Sequence, residues 1–334
     1  MRGVAAQRIV RTIRKPRNKA DGAIAPKPEW DGAFRAICCV APLAHGGLPW
    51  ASRRFVQLIP ESRRRGHAGP IQRFPKLELV HPTAVVAAGA RLAPDVRVGP
   101  FAVIGPEVEV GAGTTIASHV VIAGRTRIGR RNRIFQFASV GEIPQDRKYG
   151  GEPTTTVIGD GNVVREYVSI HAGTAQHRGS TRVGNANLLL AYVHVAHDCI
   201  VGDNTTFSNN AQLAGHVTVG DWVVFGGFTG VHQFVRIGAH AMIAGGAVVL
   251  QDVPPFVTVS GYPATPHGTN NEGLRRRGFS AEDVLVVRRA YKTLYREGRT
   301  LEDARVVLAA AVESAPLLRP LVDFLAASDR GIVR

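Results

Sequence analysis

Residues 187–234 read NLLLAYVHVAHDCIVGDNTTFSNNAQLAGHVTVGDWVVFGGFTGVHQF, and this stretch decides the fold. Apolar residues recur at every sixth position: Leu189, Val195, Val201, Phe207, Leu213, Val219, Phe225 and Val231. A period of six is neither the 2 of an ordinary strand nor the 3.6 of a helix, so it announces a solenoid. The same stretch holds four histidines, His194, His197, His216 and His232.

Outward from this stretch the period persists. Val80, Val86, Leu92, Val98, Ile104, Val110, Ile116, Ile122, Ile128, Ile134 and Val140 follow in unbroken steps of six. Ile158, Val164 and Ile170 resume it, then Val183 and every sixth residue to Val249. A small, β-branched or Asn residue sits four places after each anchor, as at Ala102, Thr126, Asn162 and Val217. Three hexads make an 18-residue coil, and stacked coils form a parallel β-helix of about eight or nine turns with the anchors inside. Glycine often follows the anchor (Gly99, Gly111, Gly159, Gly202, Gly220), and these glycines are expected at corners of positive φ.

The chain has 334 residues and a net charge of +15, but the charge is unevenly placed. Residues 1–73 hold fifteen Lys or Arg against four Asp or Glu, leaving the remainder only weakly basic. No basic stripe interleaved with aromatics runs through the body, so the charge is no nucleic-acid footprint. No apolar run is long enough to span a membrane. Cys38, Cys39 and Cys199 have neither metal-ligand spacing nor a disulfide pattern, which points to a reducing, cytoplasmic setting. Residues 1–73 lack any period and are expected to be a disordered basic extension. They resemble either an organelle transit peptide or the product of a start codon set too early.

Two polar insertions break the repeat, at residues 141–156 and 171–182, and solenoid insertions tend to gather on the binding face. Register places His197 two residues after its anchor, His216 three and His232 one, none of them an inward slot. Adding 18 to 197 reaches Gly215, and adding 18 again reaches Gln233. His171 falls one coil earlier, giving an outward column along one edge. After Val249 the pattern yields to helices: Ser280 and Asp283 make a capping box, Gly298 ends that helix, Thr300 begins another, and a third lies around Leu317–Ala327.

No G-x-S-x-G elbow, P-loop or dinucleotide fingerprint is present. A histidine with an acidic neighbour suits general-base acyl transfer. The column also suits zinc, as in carbonic anhydrases built on repeats of this kind. A purely structural β-helix is the third reading.

From Val80 onward the chain resembles the UDP-N-acetylglucosamine acyltransferase family of lipid A biosynthesis. The likeness rests on Gln136-FASVGE, Lys148-Y-x-GEPT, His194-VAHDC, Leu213-AGHV, Val231-HQF, Gln251-DVPP, Glu272-GL-x-RRGFS and Ala290-YK. It implies a left-handed parallel β-helix over residues 74–264, a helical domain over 265–334, a cytosolic homotrimer and no cofactor or metal. The implied reaction moves a (R)-3-hydroxyacyl group from acyl carrier protein to the 3-hydroxyl of UDP-N-acetylglucosamine. His197 is then the general base, Asp198 its partner and Gly215 the oxyanion donor. Gln145, Asp146, Lys148, His171, His194, His216, His232 and Gln233 would position substrate. Asn270, Glu272, Arg276 and Arg277 match the nucleotide side, and Gly245 the position that sets acyl-chain length. The basic helical domain would face the acidic carrier protein. Two departures stand out: Gly261-Tyr262-Pro263 stands where some members carry an Asn-His pair, and Ala172 stands where Arg is frequent. The related N-acyltransferase carries an N-terminal uridine-binding domain, which residues 1–73 do not resemble.

Overall fold

A computed structural model describes residues 79–334; the basic extension expected at residues 1–73 lies outside them. The body is a parallel β-helix of mostly two-residue strands stacked into three sheets. Sheet A runs from Val85–Val86 to Val248–Val249 and sheet B from Arg91–Leu92 to Arg236–Ile237. Sheet C runs from Arg97–Val98 to Met242–Ile243, continues into Val257–Ser260, and closes with the antiparallel strand Thr265–Thr269. Residues 265–269, at the head of the expected helical segment, thus belong to the sheet.

Pairing follows the 18-residue step, with Val195 opposite Leu213 and Leu213 opposite Val231. Across the insertions the register is kept and the extra residues are expelled: Val140 pairs Ile170, and Ile170 pairs Val195. Every anchor from Val98 to Val249 is buried, as are the residues four places on, such as Ala102, Thr126, Asn162 and Val217. Burying an aliphatic side chain of this kind stabilises by roughly 1.5–3 kcal/mol before chain entropy is set against it. Val80 is exposed and Val86 and Leu92 are partly covered, because they lie in the first coil of the described residues.

The corners differ from the expectation. Positive φ falls three residues after the anchor and is mostly taken by non-glycine residues, among them Phe101 (60°), Tyr167 (60°), Asp198 (58°), His216 (66°) and Phe234 (66°). That conformation costs about 1–2 kcal/mol per residue. It is held by an amide bond to the preceding coil, as from His216 N to His197 O (3.0 Å) and Phe234 N to Gly215 O (3.1 Å). The glycine after the anchor serves close approach instead. A Cβ on Gly159 would lie 2.7 Å from the carbonyl oxygen of Gly184, and one on Gly220 2.6 Å from the amide of Ala239.

The C-terminal helices are α1 (Asn271–Arg276), α2 (Ala281–Tyr295), α3 (Leu301–Ala311) and α4 (Arg319–Ala326). Ser280 and Asp283 form the expected reciprocal capping box, and Thr300 caps α3. Leu274, Val287, Leu294, Leu308, Leu321 and Phe324 make a second core. The last residues return to the β-helix, where Val333 N donates to Asp252 O and Ser328 Oγ to Asp252 Oδ2, both 2.9 Å. No described helix is long and apolar enough to cross a membrane.

Candidate active site

The turn from sheet A to sheet B puts His197 two residues beyond Val195, and the coils above put Gly215 and Gln233 at the same place. The ring of His197 does not stand free in solvent. Its Nδ1 lies 3.0 Å from Asp198 Oδ2, and an added Cβ at Gly215 would meet His197 Cε1 at 2.5 Å and Nε2 at 2.6 Å. Glycine at 215 is therefore the floor on which the imidazole rests, with Nε2 beside that backbone.

Asp198 sits at the positive-φ corner and is fully buried. The second insertion folds over it. Its carboxylate accepts from Thr174 N (3.0 Å), Thr174 Oγ1 (2.6 Å) and Arg178 N (3.1 Å), while its own amide donates to Thr181 Oγ1 (2.8 Å). Burial alone would push this carboxyl up, but the hydrogen bonds from Thr174 and His197 prevail and hold it below its ordinary value. His197 therefore has a carboxylate partner held toward its charged form, and with Nδ1 donating to Asp198 the lone pair is on Nε2.

The amide of Gly215 takes no acceptor among the described residues. Equivalent amides one edge away show where such a group points. Asp160 N donates to Asn185 Oδ1 and Asp203 N to Asp221 Oδ1, each on the matching residue of the next coil. By analogy with these amides, the Gly215 N–H faces the next coil, where Gln233 stands. His197 and an N–H with no acceptor among the described residues thus meet at one edge.

Three of the remaining histidines, His171, His194 and His216, are crowded rather than outward. His171 is buried, and burial lowers its affinity for a proton. His194 packs edge-on against His171 at 5.0 Å, hydrogen-bonds Ser169 Oγ at 2.7 Å, and is pushed down to about 4, chiefly by burial. His216 stacks on Phe234 (4.3 Å), meets His197 edge-on (4.8 Å) and brings Nδ1 to 3.8 Å from Asp198 Oδ2. Burial lowers it too. His232 and Gln233 are exposed on the coil above.

His197, Asp198 and His216 are the group among the described residues whose atoms lie close enough to hold a metal ion. They do not suit one. Both Asp198 oxygens already accept from Thr174 and Arg178, and His197 turns its Nδ1 toward that same carboxylate.

The first insertion supplies Gln145 and Lys148, both exposed, and Asp146, whose Oδ1 accepts Lys148 N at 2.9 Å. Gln176 of the second insertion ties the two together, donating to Lys148 O and Glu152 Oε1. Other expected residues lie elsewhere on the chain. Gly245 is on the edge between sheets C and A. Arg277 packs on Trp222 (5.3 Å) and approaches His240 Nδ1 (3.3 Å), on the edge between sheets B and C. Asn270 is a structural cap, accepting from Gly273 N and donating to His240 O, and Glu272 pairs with Arg276 on exposed α1. One chain thus brings together the His197 cluster and both insertions, but leaves Gly245 and Arg277 on two other edges.

Thr174, His177, Arg178, Thr181 and Phe234 escaped the sequence reading. The length of the insertion was the available signal. A contact between Thr174 and Asp198 across 24 residues leaves no local pattern.

Comparison with known proteins agrees with this architecture. Residues 252–333 match a family described as Udp N-acetylglucosamine O-acyltransferase, Domain 2. Residues 89–124 and 180–215 match the bacterial transferase hexapeptide family. The acyl-[acyl-carrier-protein]–UDP-N-acetylglucosamine O-acyltransferase of Thiobacillus denitrificans is 62% identical over 255 residues, 76% of this chain and 99% of that protein. Its counterpart in Janthinobacterium is 58% identical over 262 residues, 77% of this chain and 100% of that protein. The solved structure of LpxA from Acinetobacter baumannii superposes with a TM-score of 0.75 at 48% identity, covering 77% of this chain and all of that one. With this identity sustained over the whole length of such relatives, the chain belongs to the UDP-N-acetylglucosamine O-acyltransferase family.

Proposed function

We propose that this chain transfers a (R)-3-hydroxyacyl group from acyl carrier protein to the 3-hydroxyl of UDP-N-acetylglucosamine, the first step of lipid A biosynthesis, with His197 as general base. The observation that carries the chemistry is the His197 ring, held by Asp198 on one side and seated on Gly215 on the other. Nε2 takes the proton of the sugar 3-hydroxyl as that oxygen attacks the thioester carbonyl. The Gly215 N–H receives the developing oxyanion, and buried Asp198 stabilises the imidazolium. Collapse breaks the C–S bond, and the proton passes from Nε2 to the departing thiolate.

Lys148 and Asp146 enter from the first insertion to hold the acceptor, with His171, His194, His216, His232 and Gln233 around it. Arg276 and Arg277 serve the nucleotide and Gly245 the acyl tail, so a site that uses them takes them from another copy. We therefore assign a homotrimer with sites between subunits. A ladder of aromatic rings favours such packing: Phe101, His119, Phe137, Tyr167 and Tyr192 stack at 4.8–5.1 Å along the edge between sheets C and A. Its Phe and Tyr rings are exposed. A cytoplasmic location goes with these substrates.

The test is transfer from a panel of 3-hydroxyacyl carrier proteins to UDP-N-acetylglucosamine. The wild type is expected to acylate the 3-hydroxyl, and His197→Ala to lower kcat by about 10²–10⁴. No transfer at any chain length, or full activity in His197→Ala, would overturn the assignment.

A further inference from the structure

His177 lies in the second insertion and has no place in the reaction just described. It is exposed, yet its ring comes to 4.4 Å from His216 and 5.9 Å from Phe234. Its amide donates to Thr174 O (3.2 Å), inside the turn whose Thr174 and Arg178 hold Asp198. His216 is thus enclosed by Phe234 on its face, His197 edge-on and His177 toward solvent. The titratable and charged groups that face it are Asp198, His197, His177 and Arg178.

We propose that His177 is a positioning residue: it keeps His216 seated against Phe234, so that the Asp198 carboxylate serves His197 alone. His216 Nδ1 is buried without a hydrogen-bond partner and already lies 3.8 Å from Asp198 Oδ2. A protonated His216 would close that gap and compete with His197 for the single carboxylate. Enclosure works against this, because burial and the neighbouring imidazoles disfavour the charged ring. Opening the His177 side admits water, raises the proton affinity of His216 and divides Asp198 between two imidazoles.

The kinetic readout rests on the acyl-transfer reading; the spectroscopic one does not. His216 is titrated by NMR with ring-labelled histidine, its signal assigned by loss in His216→Gln. In His177→Ala its midpoint is expected to rise by about half a pH unit or more, and the acid limb of kcat/KM to move up with it. His177→Phe, which restores the packing without a titrating ring, is expected to return both toward wild type. An unmoved His216 titration in His177→Ala overturns the inference even if transfer is intact, as does a His177→Phe variant shifted as far as the alanine one. An enzyme without transfer activity leaves the NMR comparison to decide.

Discussion

At the residue scale the proposed chemistry rests on three groups: His197 Nε2, the Gly215 amide and the Asp198 carboxylate. Gly215 does not need positive φ, so its lack of a side chain is a matter of space. An alanine there would push the ring of His197 rather than any backbone. Displacement of the base by about 1 Å costs about 10²-fold in rate. Gly215→Ala is expected to lower kcat/KM by at least that factor with little change in thermal midpoint. A large fall in the midpoint, with the activity of the folded fraction preserved, would contradict the seat. The buried histidines predict acid sensitivity. His194 titrates near 6.5 when unfolded but only at about 4 when folded, so its contribution is complete above 6.5. As the pH falls from 6.5 toward 4 the unfolded chain takes up protons that the folded one refuses, and stability declines. His194→Gln is expected to flatten that decline in denaturant titrations at stepped pH.

At the scale of elements, the β-helix is held inside by more than aliphatic packing. Asn132, Asn162 and Asn187 form a buried amide ladder, each Oδ1 accepting from the coil above. Asn162 Oδ1 accepts Asn187 N at 2.9 Å and its Nδ2 donates to Gly184 O at 2.9 Å. Asn162→Ala strands these backbone groups, at about 1–3 kcal/mol each. The loss expected in equilibrium unfolding is about 2–4 kcal/mol; less than 1 kcal/mol would mean that water replaces the amide. The second insertion is the other decisive element. Thr174 and Arg178 hold Asp198, His177 lies against His216, and Gln176 reaches the first insertion. It works as a brace between the base and the first insertion, not as a surface loop.

At the scale of the whole molecule, the prism separates the residues proposed for the reaction. His197, Arg277 and Gly245 stand on three different edges, and no bend of a stacked β-helix can unite them. An assembly of parallel copies can. Co-expressed His197→Ala and Arg277→Ala subunits, each expected to be inactive alone, are therefore expected to regain about a third or less of wild-type activity in mixed assemblies, since one of the three interfaces of a mixed trimer pairs an intact His197 with an intact Arg277. No recovery in purified mixed trimers would overturn a site that takes the two residues from different copies. A larger side chain, as in Gly245→Met, is expected to shorten the accepted acyl chain, read out by competing carrier proteins of two lengths. An added Cβ there meets Gly227 O at an ordinary 3.4 Å, so the fold itself is not challenged.

The hexad period was enough to specify the β-helix, its inward positions and the register that aligns His197, Gly215 and Gln233. It could do so because one repeated spacing determines which residues stack. The capping residues of α2 and α3 were legible for the same reason, since a cap lies within four residues of what it caps. Position 101 and its equivalents were not: the left-handed corner is imposed by amide bonds to the preceding coil, which leave no preference for glycine in the chain. Nor could the sequence show that the histidine column is enclosed. That depends on Thr174 and Arg178 folding back onto Asp198 from 24 and 20 residues away, and on Phe234 stacking over His216 from the next coil. Periodicity records contacts that repeat along the chain. Contacts made once, by inserted segments, exist only in the folded structure.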